Sequence, residues 1–320
     1  MFAELPKIFD RNFIIAFFLP AVMFVFASLW LLAGFNLLPK FLSFPPGEIL
    51  PGATTLGIIA WLAGILLLVL NYTIYQVLEG YGTYNPIRLL GPLQRRRYQT
   101  NRRLRQTVEE EYEDGLINNE EPEDLGELVD RRIELHRQRA DYFPEQERLL
   151  PTAFGNAVRA FEDYPPDMYG VDSIVVWVRL LAVIPEDYRA LIDTAKAQTD
   201  FWLNLWLLSI LALIEYVAVL IYARDIGMLW FPLLFALLVF IASSRATSAA
   251  IAWGDYVKAS FDLFLPALRK KLQLPTPANI HEERKLWTSF SQMVIYHDRD
   301  QVIRVPPADD KREKTLGRGR

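Results

Sequence analysis

Glu215 is the one charged side chain between Phe201 and Ala223, in a run dominated by Leu, Ile, Ala, Val and aromatic residues. A carboxyl so placed is costly in hydrocarbon and marks a functional hypothesis. Two chemistries suit it: a protonated acid on a proton or cation path, or a hydrogen bond to a neighbouring hydroxyl or an oligomer contact. Counting back from Arg224, Glu215 lies roughly 13 Å from that end of its helix, and Ser28 in another apolar run sits at about the same depth. Arg245 is the obvious counter-ion, yet by the same count it lies roughly 27 Å from that side, too deep to reach Glu215. It is expected at the inner interface, with its guanidinium among headgroups.

A second group of polar residues, Asn156, Glu162, Asp163 and Asp172, stands among Gly155, Pro165, Pro166 and Gly170. It reads either as a small polar site or as a folded linker closed by caps. Glu162 and Asp163 are adjacent, so on a helix they face different ways and form no acid–base dyad by themselves. No GxSxG, Walker, HExxH or GxGxxG pattern occurs in a supporting context, and the expectation is a protein without enzymatic activity. The chain has no cysteine and three histidines, His136, His281 and His297, in separate segments. No metal site and no cofactor are expected.

Arg95, Arg96, Arg97, Arg102, Arg103 and Arg105 form a third candidate, a basic helix that turns acidic from Glu109. Just inside a membrane such residues contact anionic lipids, or act only as the positive-inside signal. The acidic turn and a net charge of -4 argue against nucleic acid. The segment GYGTYNP, from Gly80 to Pro86, resembles a potassium filter only in composition; with no pore-helix block before it, it is expected to be a loop ending a helix.

The elements that position these residues follow from hydropathy. A bilayer core needs about 20 apolar helical residues. Four stretches qualify, at about 13–38, 56–78, 201–223 and 226–248. The first is too long for a signal h-region and lacks a small-residue cleavage site, so it is read as a retained anchor. Lys and Arg gather before the first span, after the second and after the fourth, whereas Lys40 is the only base between the first two. Both termini and the long middle segment are therefore expected in the cytoplasm, with a Pro-rich loop and a tight turn outside.

The expected architecture is an all-α membrane protein with four transmembrane helices in two hairpins and a helical cytoplasmic region. Its parts are a first hairpin (1–80), a cytoplasmic helical region (81–185), a second hairpin with cytoplasmic extensions (186–265) and a C-terminal region (266–320) with a disordered tail. In the middle region a polar helix from Gln94 is broken between Gly115 and Pro122, and a second runs from Leu125 to about Tyr142. Thr152 is expected to cap a helix that Pro165 and Pro166 stop near Asp163. The apolar stretch Ile174 to Ile184 is too short to cross and is expected to be interfacial, re-entrant or a cover for the spans. Helices are expected to continue from Glu186 into the third span and out of the fourth past Arg245, packing together as a stalk. The small residues Ala242, Ser243, Ser244, Ala246, Ser248, Ala249 and Ala250 permit close approach there. A last amphipathic piece surrounds Trp287, Phe290, Met293 and Val294.

Leu150, Pro151, Thr152, Gly155 and Asn156, with Tyr169, Gly170 and Asp172, form an LPTxxGN…YGxD pattern; Phe261, Asp262 and Leu263, with Leu274 and Pro275, form a later one, where Gln273 replaces a glycine. Over about residues 149–295 this resembles a group of uncharacterised multi-pass membrane proteins of bacteria. The resemblance implies a bacterial inner-membrane location and no particular chemistry. The expected role is an oligomeric platform or subunit, in contact with the bilayer, for a cytoplasmic protein partner. The alternative is a small channel, transporter or membrane-perturbing effector that uses Glu215.

Overall fold

The computed structural model describes residues 10–35, 37, 49–118, 122–224 and 229–298. Among them the chain is helical throughout, with no strand. In chain order the helices are α1 (Arg11–Gly34), α2 (Ile49–Leu78), α3 (Gly91–Asn118), α4 (Pro122–Tyr142), α5 (Ala153–Tyr169), α6 (Ser173–Leu180), α7 (Glu186–Ala223), α8 (Trp230–Lys271) and α9 (Ile280–Tyr296). Single 3₁₀ turns occupy Pro86–Leu90 and Gln146–Arg148. Four helices, α1, α2, α7 and α8, are long and apolar enough to cross a membrane.

The chain divides into two compact units: Met1–Arg88 with Asp193–Trp253, and Leu89–Ile192 with Gly254–Arg320. Unit 1 turns large apolar side chains outward, among them Phe26, Leu66, Ile214, Leu233 and Phe240. A surface of that kind suits hydrocarbon and is costly in water. Ala242, Ala246 and Ala250 are buried, at the four-residue spacing that gives a helix a smooth, closely approachable face.

α1 is not uniformly α-helical. Ile14–Phe18 forms a π turn immediately before Pro20. Proline has no N–H, so the carbonyl four residues earlier, Ala16, has no ordinary intrahelical donor. The π turn is one known way for a helix to absorb such a fault. At the far end of α2, Gly80 and Gly82 adopt positive φ, and the Asn85 amide donates to the carbonyls of Val77 and Tyr81. GYGTYNP is thus a closed helix terminus.

The first polar helix, α3, carries Gly115 buried within it and ends at Asn118, inside the stretch where the break is expected, and α4 begins at Pro122. Unit 2 departs from sequence expectation at the prolines of α5. Pro165 and Pro166 do not stop α5 at Asp163. The helix continues to Tyr169 and closes on Gly170, at φ 71°, whose N–H bonds to the Pro166 carbonyl. The two prolines remove donors from the ladder, but α5 buries Phe154, Ala157, Val158, Phe161 and Pro165 along one face, and that packing sustains the last turn. The apolar stretch after Asp172 splits its faces: Val176, Leu180 and Ile184 are buried, whereas Ile174 and Val178 are about 70% exposed (72% and 71%). α6 packs against α5 and α9.

Glycine permits the tightest approach in unit 2. A Cβ on Gly254 of α8 would stand 2.9 Å from both Cβ and Cγ of Phe161 on α5. Trp287 and Phe290 of α9 are buried, completing this core. Tyr188 at the start of α7 packs edge-on against Tyr256 and Phe264 of α8, so the two extensions do meet. The turn expected at Asp225 and Gly227, and the tail after Pro306, lie outside the described residues.

Candidate functional site

In unit 1 three polar bonds join α1 to α7. The Asn204 amide donates to the Ala16 carbonyl (2.9 Å), the Tyr216 hydroxyl to the Ala27 carbonyl (3.0 Å) and the Ser28 hydroxyl to Glu215 Oε2 (2.6 Å). Their sequence offsets, 188, 189 and 187, are nearly constant. A constant offset means that the two helices run parallel and in register. Asn204 is fully buried and meets the carbonyl that Pro20 leaves without a donor. Neighbouring-helix donors are how a bilayer protein tolerates proline. Between Asn204 and Glu215 α7 buries Leu208 and Ala212, and the one buried polar side chain among them, Ser209, donates its hydroxyl to the Leu205 carbonyl of its own helix.

Arg245 is exposed and forms no bond to Glu215, whose partner is Ser28. A second polar knot was not anticipated from sequence. Asp200, 3% exposed, accepts from the Tyr75 hydroxyl (2.8 Å) and pairs with Lys196 (2.7 Å). The Lys196 ammonium also stands 5.6 Å from the Tyr75 ring and 5.9 Å from the Trp253 ring. The knot borders a cavity of about 330 Å³ that Asp10, Asn12, Asn71 and Asp193 also line. The Lys–Asp spacing of four was its only trace in the sequence, since Tyr75 and Trp253 come from distant segments.

In unit 2 the residues of the LPTAFGN segment close on themselves. Thr152 Oγ1 accepts the Gly155 N–H (2.8 Å), and the Asn156 side chain both accepts from the Leu150 N–H (2.6 Å) and donates to the Leu150 carbonyl (3.1 Å). Asp172 caps α6 through Val175 N–H (2.9 Å), while its own N–H donates to Ser291 Oγ on α9 (3.0 Å). Asp163 accepts from Arg148 (2.8 Å), and Glu162 pairs more loosely with Arg159 (3.6 Å). Burial raises the pKa of both acids; Arg159 opposes this at Glu162 and Arg148 at Asp163. Asp163 Oδ2 is buried without a hydrogen-bond partner.

Glu162, Asp163 and Asp172 line one open groove of about 590 Å³ with Arg148, Arg159 and Arg284, whereas Asn156 does not reach it. The Ser291 and Thr288 hydroxyls that also line it bond backbone groups, the Asp172 N–H and the Gly170 carbonyl. The later sequence pattern arrives beside the first: Asp262 accepts from the hydroxyls of Tyr164 (3.0 Å) and Tyr169 (2.8 Å), raising the pKa of both after the larger effect of burial. Gly170 sits under Thr288, whose hydroxyl bonds its carbonyl (3.1 Å). The two motifs form one structural joint.

The basic segment lies on α3, with Arg95, Arg96, Arg97, Arg102 and Arg103 all exposed. To this segment and its Arg105 the fold adds Arg139 of α4. Among the described residues no group of three or more His, Cys, Asp or Glu could hold a metal ion.

No family model, curated protein or solved structure matches the chain.

Proposed function

We propose that the protein is a multi-pass protein of the bacterial inner membrane, with both termini in the cytoplasm, that acts as a non-enzymatic, oligomeric platform for a cytoplasmic partner. The observation that carries this reading is the bond from Ser28 to Glu215. The one acid in the third apolar stretch is engaged by a neighbouring helix, as are Asn204 and Tyr216 on the same helix. Polar groups consumed pairwise act as interhelical ties; conduction requires them to follow one another along a path. The four long apolar helices support the bilayer location, and the parallel run of α1 and α7 supports a topology in which the first and third spans cross in the same sense. Unit 2, built from capped and salt-bridged helices, is what such an anchor would present.

Glu215→Gln in reconstituted liposomes tests the choice. The platform reading expects proton and cation flux equal to that of the wild type, because glutamine can still accept the Ser28 hydroxyl. A wild-type flux that Glu215→Gln abolishes would replace it with the conducting reading.

A further inference from the structure

The hairpin of α3 and α4 in unit 2 treats its arginines in two ways. Arg132 of α4 forms a bidentate pair with Glu109 of α3, at 2.6 and 2.8 Å, and lies over the Tyr112 ring. Charge is matched there. The antiparallel register in which Glu109 meets Arg132 and Tyr98 meets Phe143 places Arg102 and Arg105 of α3 across from Arg139 of α4, and the acceptors bonded there are neutral. Arg105 Nε bonds Asn101 Oδ1 (3.2 Å), Arg102 Nη1 bonds Gln146 Oε1 (3.4 Å) and Arg139 bonds the Phe143 carbonyl. The Tyr98 and Phe143 rings pack edge-on beneath them (5.8 Å), fixing the two segments together.

Among the described residues no carboxylate pairs with any of the three. Glu145 and Glu147, the nearest acids in sequence to Gln146, are exposed. Arg105 pays for the crowding: burial lowers its pKa, and the charges of Arg139 and Arg102 lower it further. Around the corner of α3, an open groove of about 570 Å³ is lined by Arg96, Arg97, Thr100 and Asn101, with Glu134 as its only acid. Asn101 is itself buried, 7% exposed, so the acceptor that orients Arg105 is rigidly placed.

Holding like charges together by neutral hydrogen bonds costs stability, and the cost is recovered when an anion arrives. A guanidinium presents five N–H donors in a planar fork; each of these three has given up one. Donor forks from two helices suit an anion with several oxygens in a tetrahedral array better than a single carboxylate. We propose that Arg102, Arg105 and Arg139 form a binding site for a phosphate group. It extends the lipid contact expected of the α3 arginines to a defined set that includes a residue of α4, and it does not depend on the platform reading. The phosphate belongs either to a free anion or to an anionic phospholipid headgroup.

The full chain in neutral detergent tests this, with inorganic phosphate, phosphatidylglycerol and phosphatidylcholine as separate probes, read by calorimetry and by the thermal midpoint. Wild type is expected to bind inorganic phosphate, or phosphatidylglycerol alone, and to unfold at a higher temperature when it does. The first result assigns a free anion and the second a headgroup. Arg105→Gln with Arg139→Gln should weaken binding at least about tenfold, the usual scale for charged hydrogen bonds. Arg132→Gln, on the matched half of the hairpin, should bind as wild type even where it unfolds earlier. Without ligand the double variant should unfold at the same or a higher temperature, because repulsion has been relieved. The proposal is overturned if neither phosphate nor phosphatidylglycerol binds, if phosphatidylcholine binds as well as phosphatidylglycerol, or if the double variant binds as tightly as wild type.

Discussion

The ties between α1 and α7 in unit 1 all begin on an uncharged donor, Asn204, Tyr216 or Ser28, and two of the three end on a backbone carbonyl. In unit 2 ion pairs also join the helices, Arg132 to Glu109, Arg148 to Asp163, Lys258 to Asp141 and Arg269 to Glu283, beside neutral bonds such as Thr288 to the Gly170 carbonyl. The difference follows from the surroundings each surface suits. Where no water can replace a lost partner, a neutral hydrogen bond to a freed carbonyl costs little to bury and much to break. Where water is at hand, ion pairs are tolerated, but each exposed one contributes only about 0–1 kcal/mol. Unit 2 must then draw its stability from packing, and unit 1 can draw some of it from polar bonds.

The largest expected effect tests the packing half of that contrast. Gly254→Val places branched carbon where even a single methyl group would stand 2.9 Å from Phe161 Cβ and Cγ, so α5 and α8 must separate. Overpacking of this kind costs about 3 kcal/mol. Thermal unfolding of the full chain in detergent should show it, whereas Arg132→Gln should cost less than about 1 kcal/mol. An equal cost for the two would mean that ionic ties carry unit 2 after all.

The polar half is tested at Asn204. Removing an interhelical hydrogen bond in a bilayer costs about 0.6 kcal/mol on average and up to about 1.7. Asn204→Leu is expected near the upper figure, because it leaves the Ala16 carbonyl without a donor. Pro20→Ala restores a backbone N–H four residues after Ala16. In that background Asn204→Leu should cost distinctly less, and the double-mutant cycle reports the coupling. Additive costs would show that Asn204 serves packing and not the carbonyl.

Much of this frame was legible from sequence because hydropathy and helix caps act locally. The four apolar stretches, the cap at Thr152, and the continuation of α7 and α8 beyond their apolar parts need only neighbours a few residues away. Ser28 and Glu215 could be placed at one depth by helix rise, though nothing local said that they touch. Partnerships between distant segments were out of reach: Tyr75 with Asp200, Asp262 with Tyr164 and Tyr169, and Arg139 with Arg105. The prolines of α5 misled for the same reason. Local propensity ends a helix there, and only the burial of Phe161 and Pro165 against the rest of unit 2 overrules it.

The smallest expected effect lies at Asp163, where an ionic tie is itself half-buried in the manner of unit 1. One oxygen meets Arg148, and the other is enclosed without a partner. Burial raises the folded-state pKa above the unfolded one, and Arg148 only partly offsets it. Between those two values the folded state holds more proton than the unfolded state, so stability falls as pH rises through the window. The window begins at the ordinary carboxylate range near about 4 and extends upward. Asp163→Asn should therefore remove a contribution that falls with rising pH just above that range, so that the midpoint of wild type minus that of the variant decreases there by a fraction of one proton's worth of slope and is constant at neutral pH. A difference that instead increases with pH through the carboxylate range would mean that Arg148 dominates, making the pair an ordinary ion pair of unit 2 and removing the exception from the comparison.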